Sequence, residues 1–420
     1  MATRKPFYGW TIAGMGALGN ALQGGIIFWS MGLYTSTFED EFGAPRAQIT
    51  LIESFLSVGA NVFSPLVGYF CDRWSARAMA AIGALSLGLG LIAASFAGTM
   101  LTVWAAFLIL IPLGALGLGV LPSSKLISRW FRKRRGLALG ISVSGSSIGG
   151  AIAPIVVAGL FATLGWRGAL FWMGSFMIAM APLFYLLQAD RPEDKGLAQE
   201  EEGDAAGAEL TMIDQADWTY RQILTERQFW LQTIISAMLL AVTLGTLANL
   251  SLHSKDMGLS TGETARLYSI LALCSFLGKI AVGWLFDRLG MKRTGLIVAA
   301  LIFSGMLALS QSTTITAMSA ACLVLGTGFG GVTPIWANMI ARGFGAQSYG
   351  RAMGIMNPLH TPITALSAPF AGYIHDVTRS YDLVFALYLT FISIAAVAMT
   401  QLRPPTHPGL PVEQALDREG

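Results

Sequence analysis

Charge is scarce in this 420-residue chain. Asp, Glu, Lys and Arg make up 12% of it, about half the share of a soluble domain, while 54% is hydrophobic. A water-soluble globule is thereby excluded. Cysteine is scarce as well: Cys71, Cys274 and Cys322 are scattered in or beside apolar runs, with neither metal-ligand spacing nor a disulfide framework. Histidine occurs four times, and a single acid, Glu53, falls more than one residue inside an apolar run. The clustered nucleophiles, bases or metal ligands of a membrane-embedded enzyme are therefore missing, and no cofactor is implied. A net charge of +3 gives no case for a nucleic-acid partner. Hydrophilic runs are few, so a lipid bilayer is the expected surrounding.

Apolar runs of about 20 residues, the length that spans a bilayer as helix, recur throughout. They fall at 9–34, 47–70, 78–98, 101–127, 136–161 and 166–188, and again at 228–252, 264–286, 294–311, 314–341, 350–375 and 381–402. The expected fold is an all-α membrane protein of twelve transmembrane helices in two pseudo-symmetric six-helix bundles. The first run starts at Gly9 with no small-residue cleavage site after it and reads as a retained helix. With both termini cytoplasmic, 20 of the 27 Lys and Arg lie on the cytoplasmic side; Arg46, Arg167, Lys255, Arg266 and Arg379 lie outside, and Lys125 and Lys279 lie within spans. That asymmetry sets the expected orientation. The division follows: 1–189 as one bundle, 190–227 as a cytoplasmic linker holding 11 of the 24 acids, 228–403 as the second bundle, and 404–420 as a tail. The linker is too polar to bury a core, and its end, from Asp217 to Trp230, reads as an amphipathic helix on the membrane surface.

One turn occurs twice. Gly68-Tyr-Phe-Cys-Asp72-Arg73-Trp-Ser75-Ala-Arg77 matches Gly283-Trp-Leu-Phe-Asp287-Arg288-Leu-Gly290-Met-Lys292 at an offset of 215 residues, about half the chain. A repeat at this period means two parallel six-helix halves. Lys279 lies eight residues before Asp287, roughly 12 Å along a helix rising ~1.5 Å per residue. A cation at that depth costs at least ~2.5 kcal/mol and usually faces a cavity and a partner. Ser275 and Tyr268 share its helical face. A lysine reaching back to the surface is the competing reading.

The repeated turn, with twelve spans and a central linker, resembles the major facilitator superfamily over the whole chain; the first copy departs at Ser75, where that family has glycine. The resemblance implies a conformational latch at Asp72, Arg73, Asp287 and Arg288. Trp130-Phe-Arg-Lys-Arg-Arg135-Gly-Leu-Ala-Leu-Gly140, Phe7-Tyr8-Gly9-Trp10 and Arg191-Pro-Glu-Asp-Lys-Gly196 are similar to segments of bacterial proton-linked monocarboxylate transporters. In that family a substrate-binding arginine falls where Lys279 stands. The lysine that some members carry in span one falls near Phe28. The related oxalate:formate antiporters carry a lysine in span eleven, where this chain has Asn357 and His360. The resemblance further implies a central cavity lined by spans one, two, four, five, seven, eight, ten and eleven.

Substrate-binding candidates are therefore Lys279, Ser275, Tyr268, Asn357, His360 and Phe28. Asn357, His360, Thr361 and Thr364 share one face of a helix broken by Pro358 and Pro362, a backbone tolerated at depth where it lines a cavity; a membrane histidine also serves as interhelical glue. Phe28, Trp29, Tyr34 and Trp336 read as cavity walls or interface anchors. Glu53 reads as a protonatable gate or a static ion pair, and His253 as a relay or an interface residue. Proton-coupling candidates are Lys279, Glu53, His253 and His360, with Lys279 preferred because a lysine in a dry cavity can shed a proton that an arginine keeps. The expected function is symport of a small, lactate- or pyruvate-like monocarboxylate with a proton across the cell membrane, one chain being the functional unit. Exchange of organic anions or of a dicarboxylate is the alternative, and one cation suits one carboxylate better than two.

Overall fold

The computed structural model describes residues 7–73, 75–131, 134–197 and 218–402, apart from the side chains at 72, 135–136, 287 and 345–347. The side chains of Asp72 and Asp287, most of the linker and the tail thus lie outside the described residues. The elements are α1 (Gly9–Gln23), a π-helical segment (Gly24–Trp29), α2 (Met31–Phe42), α3 (Arg46–Arg73), α4 (Ala76–Ser95), α5 (Met100–Leu108), α6 (Leu110–Leu118), α7 (Val120–Trp130), α8 (Arg135–Leu187), α9 (Tyr220–Thr225), α10 (Arg227–Asp256), α11 (Thr261–Ser310), α12 (Ile315–Thr378) and α13 (Asp382–Thr400). Among the described residues there is no strand.

Three of these helices are too long to be straight. The 53 residues of α8 would run ~80 Å, against a hydrocarbon core of ~30 Å. It bends at Gly165 (φ 68°, ψ 166°), and α11 bends at Gly290 (φ 72°, ψ 176°). Both angles fall in a region open essentially to glycine alone. Within α12, Trp336 Nε1 lies 3.3 Å from Met356 Sδ, twenty residues on, where a straight helix would separate them by ~30 Å; the chain doubles back between them. Among the described residues nine stretches are long and apolar enough to cross a membrane, and Leu137–Leu187 counts for two. The remaining two of the twelve expected spans escape that criterion for physical reasons. The π-helical segment interrupts span one, and span eleven is diluted by Asn357, His360 and its threonines. Gly165→Ala and Gly290→Ala are each expected to cost about 1–3 kcal/mol, measured as a lower unfolding temperature in detergent. Gly140→Ala, which meets open space, serves as the neutral control; equal stability of all three would refute the backbone argument.

By its contacts the chain forms two units. The first holds Met1–Ala205, Thr246–Leu273 and Ala368–Arg379; the second holds Ala206–Gly245, Cys274–Ser367 and Ser380–Gly420. The division cuts through α10, α11 and α12 rather than falling at the linker.

In the first unit the helices approach through glycine. A methyl group at Gly145 or Gly149 of α8 would strike the carbonyl of Ala17 or Ala21 in α1, and one at Gly150 would strike the Trp29 ring. The Gly145–Gly150 stretch is thus a packing edge. Asn20, fully buried in that seam, donates to the Gly16 carbonyl (2.9 Å) and to Ser142 Oγ (3.3 Å). The segments similar to the bacterial transporters also meet. Phe7, Tyr8 and Trp10 pack on Trp130 and Phe131; the Tyr8 hydroxyl donates to Leu187 O (2.7 Å), and Trp130 Nε1 donates to Ala189 O (2.9 Å). Ser75 explains its own departure from glycine. It caps α4, accepting from Ala78 N (3.1 Å), and its hydroxyl donates to Asp190, which also accepts from Ala76 N at 2.7 Å. Lys125 donates to the Cys71 carbonyl in the last turn of α3, which fits a lysine bent toward the helix end.

The second unit uses the same device: methyl groups at Gly278 and Gly330 would strike the carbonyls of Thr327 and Ser275. The end of the linker differs from a purely surface helix. Trp218 and Ile223 are buried with Phe229, Ile340, Phe344 and Met356, Trp218 N donates to Ser348 Oγ (2.8 Å), and Arg351 donates to the Trp218 carbonyl (2.8 Å).

Candidate functional site

The π-helical segment in the first unit interrupts a membrane helix. Its wide turn changes the backbone pairing, and side chains engage two of its carbonyls. Ser30 Oγ donates to Gly25 O (2.8 Å), and the Tyr34 hydroxyl donates to Ile26 O (2.7 Å). Such segments concentrate at functional sites. Gly24, Gly25, Ile26, Ile27 and Trp29 are buried, whereas Phe28 stays half-buried.

Tyr268, a substrate-binding candidate by its helical face, packs between helices. It is fully buried, its hydroxyl donates to Leu247 O (2.5 Å), and a methyl group at Gly32 would overlap it. Its role in this arrangement is that of a strut between α11, α10 and α2. Two further bonds join α2 to α10: Thr35 Oγ1 donates to Ala248 O (3.0 Å), and Ser251 Oγ donates to Ser36 Oγ (2.9 Å).

At the end of α3 remote from Asp72, Arg46 gathers side chains from three other elements. Its Nε donates to Glu39 Oε1 (2.7 Å). Its Nη1 and Nη2 donate to the two oxygens of Asp256 (2.5 and 2.6 Å), a bidentate pair. His375 Nε2 lies 3.0 Å from Arg46 Nη1 and 3.1 Å from Asp256 Oδ2. Asp376 accepts from the backbone N–H of Arg46 (3.1 Å) and Ala47 (3.0 Å), capping α3. Lys255 joins Glu39 (2.8 Å) and Asp40 (2.5 Å). Burial pushes the Glu39 carboxyl up, but hydrogen bonds from Arg46 and Lys255 outweigh it and hold it below the usual carboxylate range. Beside this knot Arg167 and Trp166 donate to Glu41 (2.5 and 3.1 Å) and hold its carboxyl low as well. Sequence reasoning counted Arg46 and Lys255 as plain loop charges. The available signal was that loops of few residues carried both signs.

Glu53 is 4% exposed on α3, seven residues beyond Arg46 and on the same helical face. His253 is half-buried, one turn before Asp256. Arg73 and Arg288 repeat one contact: Arg73 lies 5.0 Å from the Tyr69 ring and Arg288 4.3 Å from the Trp284 ring, each over the aromatic four residues earlier.

In the second unit Lys279 is half-buried and Ser275, one turn earlier, is buried. A methyl group at Gly330 would strike both the Ser275 carbonyl and the Lys279 amide, so α12 fixes this turn of α11 from behind. His360 Nε2 lies 3.2 Å from Asn357 Oδ1, and its ring meets Trp336 edge-on at 5.6 Å. His360 Nδ1 is buried without a hydrogen-bond partner. Among the described residues no group of three or more His, Cys, Asp or Glu is arranged to hold a metal ion.

Residues 16–369 match the sequence profile of the Major Facilitator Superfamily. Curated relatives include monocarboxylate transporter 12 of Rattus norvegicus, 26% identical over 83% of this chain and 76% of that one. Monocarboxylate transporter 13 of Bos taurus is 24% identical over 98% and 94%. Among solved structures, a D-xylose–proton symporter superposes with a TM-score of 0.72 at 16% identity, covering 94% of this chain and 98% of that one. A bacterial homologue of the human lysosomal transporter Spinster gives 0.68 at 14%, over 94% and 93%; at these identities the two structures show the fold alone. The profile match extends over most of the chain, and with the helical architecture it settles the family: this is a multi-pass membrane protein of the Major Facilitator Superfamily, a transporter of small molecules rather than an enzyme.

Proposed function

We propose that the chain carries a small organic monocarboxylate, lactate- or pyruvate-like, together with a proton across the cell membrane by alternating access. Lys279 carries the reading. It is a half-buried cation in a membrane helix whose turn is braced by Gly330, in a chain similar to several monocarboxylate transporters. An ammonium in a low-dielectric cavity binds one carboxylate by a charge-assisted bond. Ser275 on the same face, with His360 and Asn357, supplies the remaining polar walls. Both termini face the cytoplasm, and one chain works alone, with 1–189 and 228–403 as its two moving halves. Asp72, Arg73, Asp287 and Arg288 form the latch on the cytoplasmic side.

Purified protein in liposomes tests this directly. An inward proton gradient should drive accumulation of lactate or pyruvate, and Ser275→Cys and Asn357→Cys should label with a thiol reagent that saturating acid blocks. Acid exchange without response to the gradient would mark an anion exchanger. Unhindered labelling under saturating acid would remove these residues from the site.

A further inference from the structure

We propose that Glu53 carries the transported proton, at the point of α3 between the Arg46 knot and an open polar stripe. The inference rests on the symport reading above and adds to it the group that holds the proton.

Glu53 is 4% exposed, and among the described residues no hydrogen bond or ion pair engages its carboxyl. The neighbouring elements do bring charge to this end of the unit, but it is committed elsewhere. Glu39 and Asp40 of α2, Lys255 and Asp256 of α10, and His375 of α12 join Arg46 or one another, and Asp376 caps α3. Glu263 of α11 accepts from Ser260 and feels Arg266. His253 of α10 has its own contacts, and α5 and α6 carry no charged residue. An isolated ionised carboxylate is too costly to bury, and such a group takes up a proton instead. While its carboxyl stays dry, the arrangement seen here is open only to protonated Glu53.

The two sides of Glu53 differ. About 10 Å along the helix toward the Arg46 end, the knot closes α3 against the ends of α2, α10 and α12. In the other direction the same face carries Ser57 and Ser64, both half-buried, and the exposed Asn61. A polar stripe that is half-buried or exposed beyond Glu53 is a route for water. Parting the knot would open the carboxylate to the opposite side. There it takes a proton from hydronium, leaving water; after closure, water entering along the stripe hydrates the carboxyl and takes that proton from it.

The test compares wild-type, Glu53→Gln and Glu53→Asp proteins in liposomes, using whichever of lactate, pyruvate, hydroxyisovalerate and phenylpyruvate the wild type accumulates best. In Glu53→Gln, acid-for-acid counterflow persists, while gradient-driven accumulation falls to an inside-to-outside ratio of about one. Glu53→Asp restores accumulation, with its pH profile displaced. Accumulation in Glu53→Gln equal to wild type overturns the inference and leaves the symport reading standing. Loss of counterflow together with accumulation in a monodisperse Glu53→Gln protein overturns it too, since Glu53 would then serve the fold or the substrate. If the wild type accumulates none of the acids, the symport reading itself fails and the inference fails with it.

Discussion

Lys279→Ala is expected to abolish accumulation of the acid and to weaken its binding by about 10- to 150-fold. That range is the ~1.5–3 kcal/mol carried by a hydrogen bond to a charged group. The change removes the cation while leaving the Gly330 contact, which is made by the backbone, so the protein should remain folded and monodisperse. Thermal-shift titration with the acid reads the binding loss, and liposome uptake reads the transport loss. Lys279→Arg keeps the charge and is expected to keep counterflow. With the proton on Glu53 it should keep gradient-driven accumulation as well. A Lys279→Arg protein that exchanges acid but no longer accumulates it would return the proton to Lys279. Unchanged affinity in Lys279→Ala would place the carboxylate elsewhere.

Arg46→Met should give the largest loss of stability. The Arg46 side chain is 6% exposed and serves two carboxylates at once, with Asp256 held bidentately. Removing one partner of a buried ion pair typically costs about 3–5 kcal/mol, because the acids left behind stay desolvated. Glu39 and Asp256 keep 21% and 38% side-chain exposure, and water reaching them moves the expected loss to the lower end, about 3 kcal/mol. Pairing Arg46→Met with Asp256→Asn should cost less than the two changes added together, since the second removes a charge stranded by the first. Strict additivity in detergent unfolding would mean that the two residues do not act as a unit. The knot joins α2 and α3 to α10 and α12, so the same variant should raise the reactivity of a cysteine placed at Thr50, fully buried one turn beyond Arg46.

The spans and the repeat could be read from sequence because each rests on local pattern. Twenty apolar residues and a doubled turn need no knowledge of neighbours, and the aromatic–arginine pairs at Tyr69–Arg73 and Trp284–Arg288 follow from the four-residue period of a helix. The Arg46 knot depends on tertiary position. It joins residues as much as 330 apart in the chain, and no period links them. Tyr268 shows a different limit: helical spacing assigns a face but carries no depth, and the close approach of Gly32 that covers it depends on α2. The π turn at Gly24–Trp29 was likewise hidden, since its composition is that of an ordinary apolar helix.

The aromatic cluster at the start of the chain also bears on how the protein is made. Tyr8 enters the bilayer region first, yet its hydroxyl is satisfied by a carbonyl 179 residues later. At ~5–20 residues per second, about 10–40 s of synthesis separate the two. For that interval Phe7, Tyr8 and Trp10 have no finished seat, and the first helix waits in the membrane or its insertion machinery until the sixth arrives. A ribosome stalled before Leu187 should therefore hold a nascent chain whose amino-terminal aromatics remain open to protease, and one stalled well beyond it should hold a chain in which they are shielded.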